Sequence, residues 1–309
     1  MAALIGAIVA PTDAALGASI VQDKRIPSGL RRLLNVESGL NDGIATPFVN
    51  LFLAGALAEK AANTSGVPGS LVDLLIGAGV GVGVGVLGAL LQRISAGHGW
   101  GGTAFRPLAV LGIALFGYSA AIEAGGNGFV AAFIAGMAFG AVMPHDDPLT
   151  LGFTDDAGQL MSLLVWFSFG ATMVVPGFEH ATWEDVVFAI LALTVVRMIP
   201  VALALIGSGL DRVTVTFIGW FGPRGLASVV FTLIALDSLS ASEGDSVLAA
   251  VTVTVALSVA LHGVTASPLA ARYGRCAASL GADSPVHTDA PSISTRSLAG
   301  RRPPLLHTP

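Results

Sequence analysis

An apolar stretch of the chain, residues 34–58, contains the polar run Glu37-Ser-Gly-Leu-Asn-Asp42. A carboxylate that faces hydrocarbon is unfavourable by a few kcal/mol on insertion scales. Asp42 is therefore expected in the interior of a helix bundle or in a water-filled cavity, where such groups usually handle ions or protons. Two more ionisable groups have a similar setting, since Asp13 closely follows a proline and Arg197 lies in the middle of a later apolar run. This combination is typical of a transport protein.

The composition excludes most other classes of protein. Of the 309 residues, 53% are hydrophobic and 11% are charged, whereas soluble domains usually contain about a quarter charged residues. We therefore predict an integral membrane protein. The single cysteine, Cys276, excludes a disulfide within the chain. The sequence shows no nucleophile–base pair, metal-ligand cluster, phosphate-binding loop or basic run, so we expect no enzyme activity, no cofactor and no nucleic-acid partner.

Apolar segments of membrane-helix length recur along the chain. A membrane helix needs about 20 apolar residues, and we read nine such segments, two of them broken, which predicts an all-α membrane protein. The segments lie at 2–10 with 14–21, 34–58, 71–91, 108–124, 129–143, 160–175, 186–206, 213–236 and 247–269. We assign residues 1–270 to a transmembrane domain. Residues 271–309 are rich in Ser, Pro, Thr and Arg and predict a disordered tail.

Lysine and arginine residues are distributed unequally between the two sides of the predicted membrane. Twelve lie on the side of the 22–32 loop and the C-terminal tail, and one, Lys60, lies on the other. The remaining two, Arg197 and Arg224, lie within spans. Because cytoplasmic loops are enriched in these residues, the distribution supports nine crossings and predicts a cytoplasmic C-terminus. We expect the protein in the cell membrane.

Two of the predicted spans are interrupted at a proline beside a charged residue. The first is broken at Ala10-Pro-Thr-Asp13 and the eighth at Gly222-Pro-Arg-Gly225. Proline removes a helix hydrogen bond, and in lipid the freed backbone groups need partners, so broken helices occur where they line a protected cavity. Paired interruptions in corresponding positions indicate two related halves and a binding site near the midplane.

Each charged residue at a break also has a structural interpretation. Asp13 could cap the second half of its own helix, which is compatible with a supporting role at an ion site. Arg224 could balance the negative end of a half-helix or a carboxylate. We favour this role over direct contact with a substrate.

Oxygen-bearing side chains of the second span share one helix face. Ser38 lies four residues before Asp42 and three before Asn41. A hydroxyl, an amide oxygen and a carboxylate form a set suited to Na⁺ or a similar cation, to which the carbonyls near Thr12 could contribute. Asp42 could hold either a proton or a cation at cellular pH. Mutually exclusive occupancy of this carboxylate is sufficient for exchange.

Arg197 needs an acidic partner at its depth in the membrane, and Glu37 is the first choice because this pairing leaves Asp42 free. The desolvation of such a pair can offset its attraction, so its net contribution to stability is open. A polar network that only holds helices together is the alternative for the whole set. It applies most readily to Ser38 and Asn41.

Two further features are assigned to packing. Glycines at positions 77, 81 and 85 form a small-residue stripe within a span, which favours close helix packing over a strand. His262, in the last span, could sense pH, but we favour a hydrogen-bonded packing residue.

In this order, the polar residues resemble the monovalent cation:proton antiporter-1 family, which includes prokaryotic Na⁺/H⁺ antiporters and animal Na⁺/H⁺ exchangers. The matching motifs are Pro11-Thr-Asp13, Glu37-Ser-x-x-Asn-Asp42, Arg197 and Gly222-Pro-Arg-Gly225. The resemblance extends from about residue 4 to residue 269.

The resemblance implies an inverted-repeat core in which the two broken spans cross, and it implies a role for each motif residue. Cation and proton binding fall to Asp42, Ser38 and Thr12, support of the site to Asn41, Asp13 and Arg224, and a structural ion pair to Glu37 and Arg197. A single aspartate after asparagine resembles the electroneutral members, and the family forms homodimers. Relative to the family, the chain lacks about four N-terminal helices, so we expect a truncated member.

We therefore predict secondary active antiport of Na⁺, or of Li⁺ or K⁺, against H⁺, with a single aspartate that binds cation and proton alternately. The expected partners are membrane lipid and the transported ions. Two alternatives are a passive cation channel and an inactive fragment or scaffold of a transporter.

Overall fold

The computed structural model describes residues 1–13, 16, 18–21, 23–58, 67–100, 105–143, 148–280 and 284–287. This part of the chain is predominantly helical and contains no strand. The helices are α1 Ala2–Val9, α2 Ala18–Val21, α3 Ser28–Ala58, α4 Val67–Gly97, α5 Phe105–Glu123, α6 Gly128–Val142, α7 Pro148–Ser168, α8 Val174–Glu179, α9 Trp183–Leu193, α10 Val195–Ala204, α11 Arg212–Trp220, α12 Leu226–Ser238 and α13 Ala241–Ala278. A π-helical turn, Phe169–Met173, joins α7 to α8, and a 3₁₀ turn, Pro285–His287, follows α13.

The all-α membrane class predicted from the sequence is confirmed. Five described helical stretches are long and apolar enough to cross a membrane by length and composition: Val72–Gly97, Phe105–Glu123, Asp156–Glu179, Trp183–Ala204 and Ala241–Ala278. Apart from the breaks and the helix ends, the predicted apolar segments lie on helix. Helices satisfy their own backbone hydrogen bonds, as hydrocarbon requires.

Two irregularities of the helices were not predicted. The sixth apolar segment contains the π-helical turn, and the seventh is divided at Thr194, where φ is −112° and ψ is −87°. Pro200, inside α10, removes one further helix hydrogen bond. Hydropathy detects neither irregularity, because both segments are predominantly apolar. In the first span, α2 begins only at Ala18, and residues 14, 15 and 17 lie outside the described part.

The last long helix extends beyond residue 270, where the sequence predicted the start of a disordered tail. Helix α13 continues to Ala278, and the 3₁₀ turn returns to the bundle, where Val286 is 4% exposed in an apolar cluster with Ile26 and Tyr273. Because the segment is polar overall, its composition did not indicate that the side chain of Val286 is buried. Residues 281–283 and 288–309 lie outside the described part, as do Lys60, Arg296, Arg301 and Arg302 from the predicted charge asymmetry.

Two apolar clusters lie above and below the level of the breaks along the bundle. One joins α1, the C-terminal half of α3, the π-helical turn, α12 and α13. The other joins α2, the N-terminal part of α3, α11, the C-terminal half of α13 and the 3₁₀ turn. In α3, the polar segment lies between the part that belongs to one cluster and the part that belongs to the other. Each break likewise separates a helix of one cluster from a helix of the other. This arrangement holds the candidate site inside the bundle.

Helix α4 packs closely on α6 along the predicted glycine stripe. A Cβ atom added at Gly81 would lie 3.0 Å from the Cα atom of Ala131, whereas one added at Gly83 would meet no atom within 4 Å. The stripe therefore permits a backbone approach that larger residues would prevent.

Candidate functional site

The two helix breaks lie against each other. The backbone N–H of Asp13, in the first break, donates a hydrogen bond to the carbonyl oxygen of Pro223, in the second, over 2.7 Å. The second break extends from the end of α11 at Trp220 to the start of α12 at Leu226, close to its predicted position. The structure thus brings together the two interruptions that the prolines indicated.

The charged residue of each break lies at an end of the other broken helix. The Arg224 guanidinium donates hydrogen bonds to the carbonyl oxygens of Ala10 and Pro11, at the C-terminal end of α1. Asp13 Oδ2 accepts a hydrogen bond from the backbone N–H of Leu226, the first residue of α12, over 2.8 Å. Helix C-termini carry partial negative charge and N-termini partial positive charge, so each side chain lies at the end that it stabilises.

The position of Arg224 agrees with the sequence analysis, and the position of Asp13 adds a contact to it. Arg224 has the charge-balancing position that was favoured for it. A cap on its own half-helix was one interpretation of Asp13, and its Oδ1 does accept from the N–H of Leu16 over 3.3 Å, before α2 begins. Its bond to Leu226 was not predicted, because nothing in the local sequence relates the two residues.

Both glycines of the second break are positions of close approach. A Cβ atom at Gly222 would lie 2.8 Å from Cζ of Arg197. A Cβ atom at Gly225 would collide with the Asp13 carboxylate and would lie 2.7 Å from Cδ1 of Leu16. The motif needs glycine here because side chains from other elements occupy the space. The sequence analysis used these glycines only as part of a motif.

Thr12, Ser38 and Asn41 form one hydrogen-bonded group. Thr12 Oγ1 lies 3.0 Å from Ser38 Oγ, which also donates to the Thr12 carbonyl oxygen over 3.0 Å. Asn41 Nδ2 donates to Thr12 Oγ1 over 3.2 Å. The first break and the polar face of α3 therefore meet, and hydroxyl and carbonyl oxygens lie together at their contact.

Asp42 differs from its neighbours on α3. Its side chain is exposed, although Ser38 and Thr46, one turn to either side, are 5% and 8% exposed. Within the described part of the chain, no group forms a hydrogen bond or an ion pair with its carboxylate, on which Asp13 acts electrostatically. The exposed carboxylate of Asp42 therefore lies within one helical turn of two buried hydroxyl groups.

Glu37 and Arg197 form a bidentate ion pair between α3 and α10. Arg197 Nη1 and Nη2 donate to Glu37 Oε1 and Oε2, the latter over 2.9 Å. The two side chains are 24% and 9% exposed, respectively. Asn41 Nδ2 also lies 3.4 Å from Glu37 Oε1. Arg197 is thus paired with Glu37 and not with Asp42.

Two cavities approach the hydrogen-bonded group from different sides. A cavity of about 220 Å³ reaches Pro11 and Asn41 between α1 and α3. A second, of about 10 Å³, reaches Asp13 and Ser38 between α2, α3 and the second break. The second has room for about one water molecule. Within the described part of the chain, the two cavities share no lining residue.

The structure adds two residues of α13 that were not assigned to the site. Ser258 Oγ accepts a hydrogen bond from the backbone N–H of Arg224 over 2.7 Å. His262, one turn later, contacts both Ser258 and Trp220. His262 was considered only as a packing residue or a pH sensor, and Ser258 gave no signal because an isolated serine in a membrane helix is common.

The model of the transmembrane sodium/hydrogen exchanger family matches residues 1–272. The chain belongs to this family. The resemblance drawn from the motifs is therefore confirmed, and the relatives named below are transporters.

Individual relatives give the same assignment. The K⁺/H⁺ antiporter NhaP of Alkalimonas amylolytica is 30% identical over 237 residues, which cover 74% of this chain and 40% of that protein. A probable Na⁺/H⁺ antiporter of Schizosaccharomyces pombe is 28% identical over 252 residues, which cover 76% of this chain and 33% of that protein. The exchanger chain thus spans between a third and two fifths of the length of these relatives.

A solved structure shares the fold. The sodium proton antiporter MjNhaP1 of Methanocaldococcus jannaschii superposes with a TM-score of 0.68 and 25% sequence identity. The match covers 88% of this chain and 70% of that one.

Proposed function

We propose that this exchanger-family protein is an antiporter of a monovalent cation and a proton, in which Asp42 binds the two ions alternately. The observation that supports the proposal most directly is the state of this carboxylate. Glu37 and Arg197 are paired with each other, and Asp13 and Arg224 cap helix ends. Asp42 is exposed and has no hydrogen-bond or ion-pair partner within the described residues.

The cation would bind between Asp42 and the oxygen atoms of Thr12 and Ser38. Hydroxyl, carbonyl and carboxylate oxygens are suitable ligands for hard cations. The 3.0 Å hydrogen bond between Thr12 Oγ1 and Ser38 Oγ would give way to contacts with the ion. Asn41 would hold Thr12 in place through its own hydrogen bond.

Exclusive occupancy of one carboxylate couples the two fluxes. An ionised Asp42 can neutralise a bound cation, whereas a protonated one cannot. A bundle that changes access only when the site is neutral would therefore carry one cation in one direction and one proton in the other, without net charge transfer. Separate cavities reach Asn41 and Ser38, and we propose that they are parts of the access routes from the two membrane faces.

We propose Na⁺ as the cation, with Li⁺ and K⁺ as further candidates, since the relatives are named for both Na⁺ and K⁺ exchange. The excess of Lys and Arg on one side supports a cell-membrane protein with a cytoplasmic C-terminus. Homodimerisation is proposed on the family resemblance alone.

Reconstitution tests this proposal. Purified protein would be placed in liposomes that contain a pH-sensitive dye, and an inward gradient of Na⁺, K⁺ or Li⁺ would be applied. We expect the lumen to become more alkaline, at a rate that is independent of an imposed membrane potential. Asp42→Asn should abolish the change. Asp73→Asn, which alters an exposed carboxylate on α4, should leave it intact.

Each other outcome contradicts the proposal. Undiminished exchange by Asp42→Asn would exclude the single-carboxylate mechanism. Cation flux that follows voltage without proton movement would indicate a channel. Wild-type protein that is folded but moves neither ion would indicate a scaffold.

A further inference from the structure

A buried histidine of α13 contacts the second helix break. Nε2 of His262 lies 2.9 Å from the carbonyl oxygen of Trp220, the last residue of α11. The imidazole also lies beside the Trp220 indole, with ring centroids 5.4 Å apart. His262 has no contact with the proposed ligands of the cation in any of its hydrogen bonds.

Ser258 connects His262 to the guanidinium-bearing residue of the break. Nδ1 of His262 lies 2.8 Å from the Ser258 carbonyl oxygen and 3.3 Å from Ser258 Oγ. The same Oγ accepts the backbone N–H of Arg224, whose side chain donates to the carbonyls of Ala10 and Pro11. A continuous series of hydrogen bonds therefore extends from α13 through the second break to the end of α1.

The imidazole has partners for both of its protonation states. A neutral ring has one N–H donor and one acceptor nitrogen. When Nε2–H donates to the Trp220 carbonyl, Nδ1 can accept from the Ser258 hydroxyl. A protonated ring has two donors, and Nδ1–H can then donate to the Ser258 carbonyl oxygen. The hydroxyl that supports Arg224 gains or loses a partner between these states.

The charged groups that act on the ring come from two elements. Arg224 approaches from the break and Arg197 from α10, and both are cationic. Arg197 is neutralised by its ion pair with Glu37.

We infer that His262 is a positioning residue of the exchange site, which acts through Ser258 to hold the second break, and with it Arg224, against the end of α1. The protonation state of the ring decides whether the Ser258 hydroxyl has His262 as a hydrogen-bond partner in addition to Arg224. The effect on transport rests on the proposed function, whereas the contacts themselves can be tested without transport.

Thermal unfolding in detergent, followed over a range of pH, tests the contacts. We expect the Tm of His262→Gln to lack a pH-dependent part that the wild type shows as the imidazole gains or loses its proton. His98→Gln, which alters an exposed histidine, should retain the wild-type dependence. A His262→Gln profile that parallels the wild type would overturn the inference.

Exchange kinetics test the positioning role. Ser258→Ala removes the acceptor of the Arg224 N–H, and the loss of one such hydrogen bond should raise the apparent KM for the cation about tenfold. Ser258→Thr keeps the hydroxyl and should stay close to the wild type. Ser246→Ala, at an exposed position of the same helix, should have no effect. An unchanged KM in folded Ser258→Ala would overturn the role.

The two proposals fail in distinguishable ways. If the wild type exchanges no ions but the Tm profiles differ as expected, the contacts of His262 stand and the proposed function fails. If the wild type exchanges ions while His262→Gln and Ser258→Ala both behave like it, only the positioning role fails.

Discussion

Oδ2 of Asp13 accepts a hydrogen bond from the backbone N–H of Leu226 over 2.8 Å, so that a residue of the first break caps the helix that follows the second. Arg224 makes the converse contact, from the second break to the end of α1. These two reciprocal hydrogen-bond contacts hold the broken helices together where they cross. Either residue can therefore be necessary for function without binding an ion.

Replacement of Asp13 should destabilise the protein through the lost cap. We expect Asp13→Ala to lower the free energy of unfolding by about 1–2 kcal/mol, as for other N-cap side chains. Asp13→Asn should have a smaller effect because it retains an acceptor oxygen. Thermal unfolding in detergent measures the difference, with the exposed Asp73→Ala as control. Equal Tm values for Asp13→Ala and this control would argue against the cap.

The Glu37–Arg197 ion pair should show strong coupling. Removal of one member leaves a charge without its partner inside the bundle, which typically lowers stability by about 3–5 kcal/mol. In the double variant Glu37→Ala/Arg197→Ala the second substitution should have a much smaller effect than it has alone. A double-mutant cycle on folded yield and Tm provides the test, and additive losses would show that the pair is not coupled.

Gly225 should tolerate no side chain. A Cβ atom there would meet the Asp13 carboxylate and Cδ1 of Leu16, so Gly225→Ala should displace the cap and cost about 1–3 kcal/mol, as overpacking does. Gly6→Ala is the matched control, since a Cβ atom at Gly6 would meet no atom within 4 Å. We expect lower Tm and slower exchange only for Gly225→Ala. Similar behaviour of the two variants would contradict the close approach.

The 3₁₀ turn after α13 should contribute to stability. A chain that ends after Leu280 loses the buried side chain of Val286, whereas one that ends after His287 keeps it. We expect the shorter chain to be less stable by about 1.5–3 kcal/mol, the usual value for burial of such a side chain. Val286→Ala in the full chain should give part of this loss. Identical Tm values for the two truncations would exclude the contact.

The local features of the site were predictable, because each depends on a short segment. Proline beside a charge indicated both breaks, and the spacing of Ser38, Asn41 and Asp42 indicated a polar face on α3. The pairing of Arg197 with Glu37 was the first choice because it left Asp42 free. The burial of Val286 did not follow, because it depends on packing against distant segments. The interruption at Thr194 did not follow either, because its segment is predominantly apolar.

The sequence by itself determined the membrane class, the positions of the two breaks and the identity of the ionisable residues inside the bundle, since hydropathy, proline and helical periodicity act over a few residues. Only the tertiary structure decided the partners of those residues. It brought Asp13 to Leu226 and Arg224 to Ser258 and the end of α1. It also left Asp42 exposed between buried neighbours. The physical reason is that a hydrogen bond is made by whichever groups the fold brings within about 3 Å, and separation along the chain has no bearing on that distance.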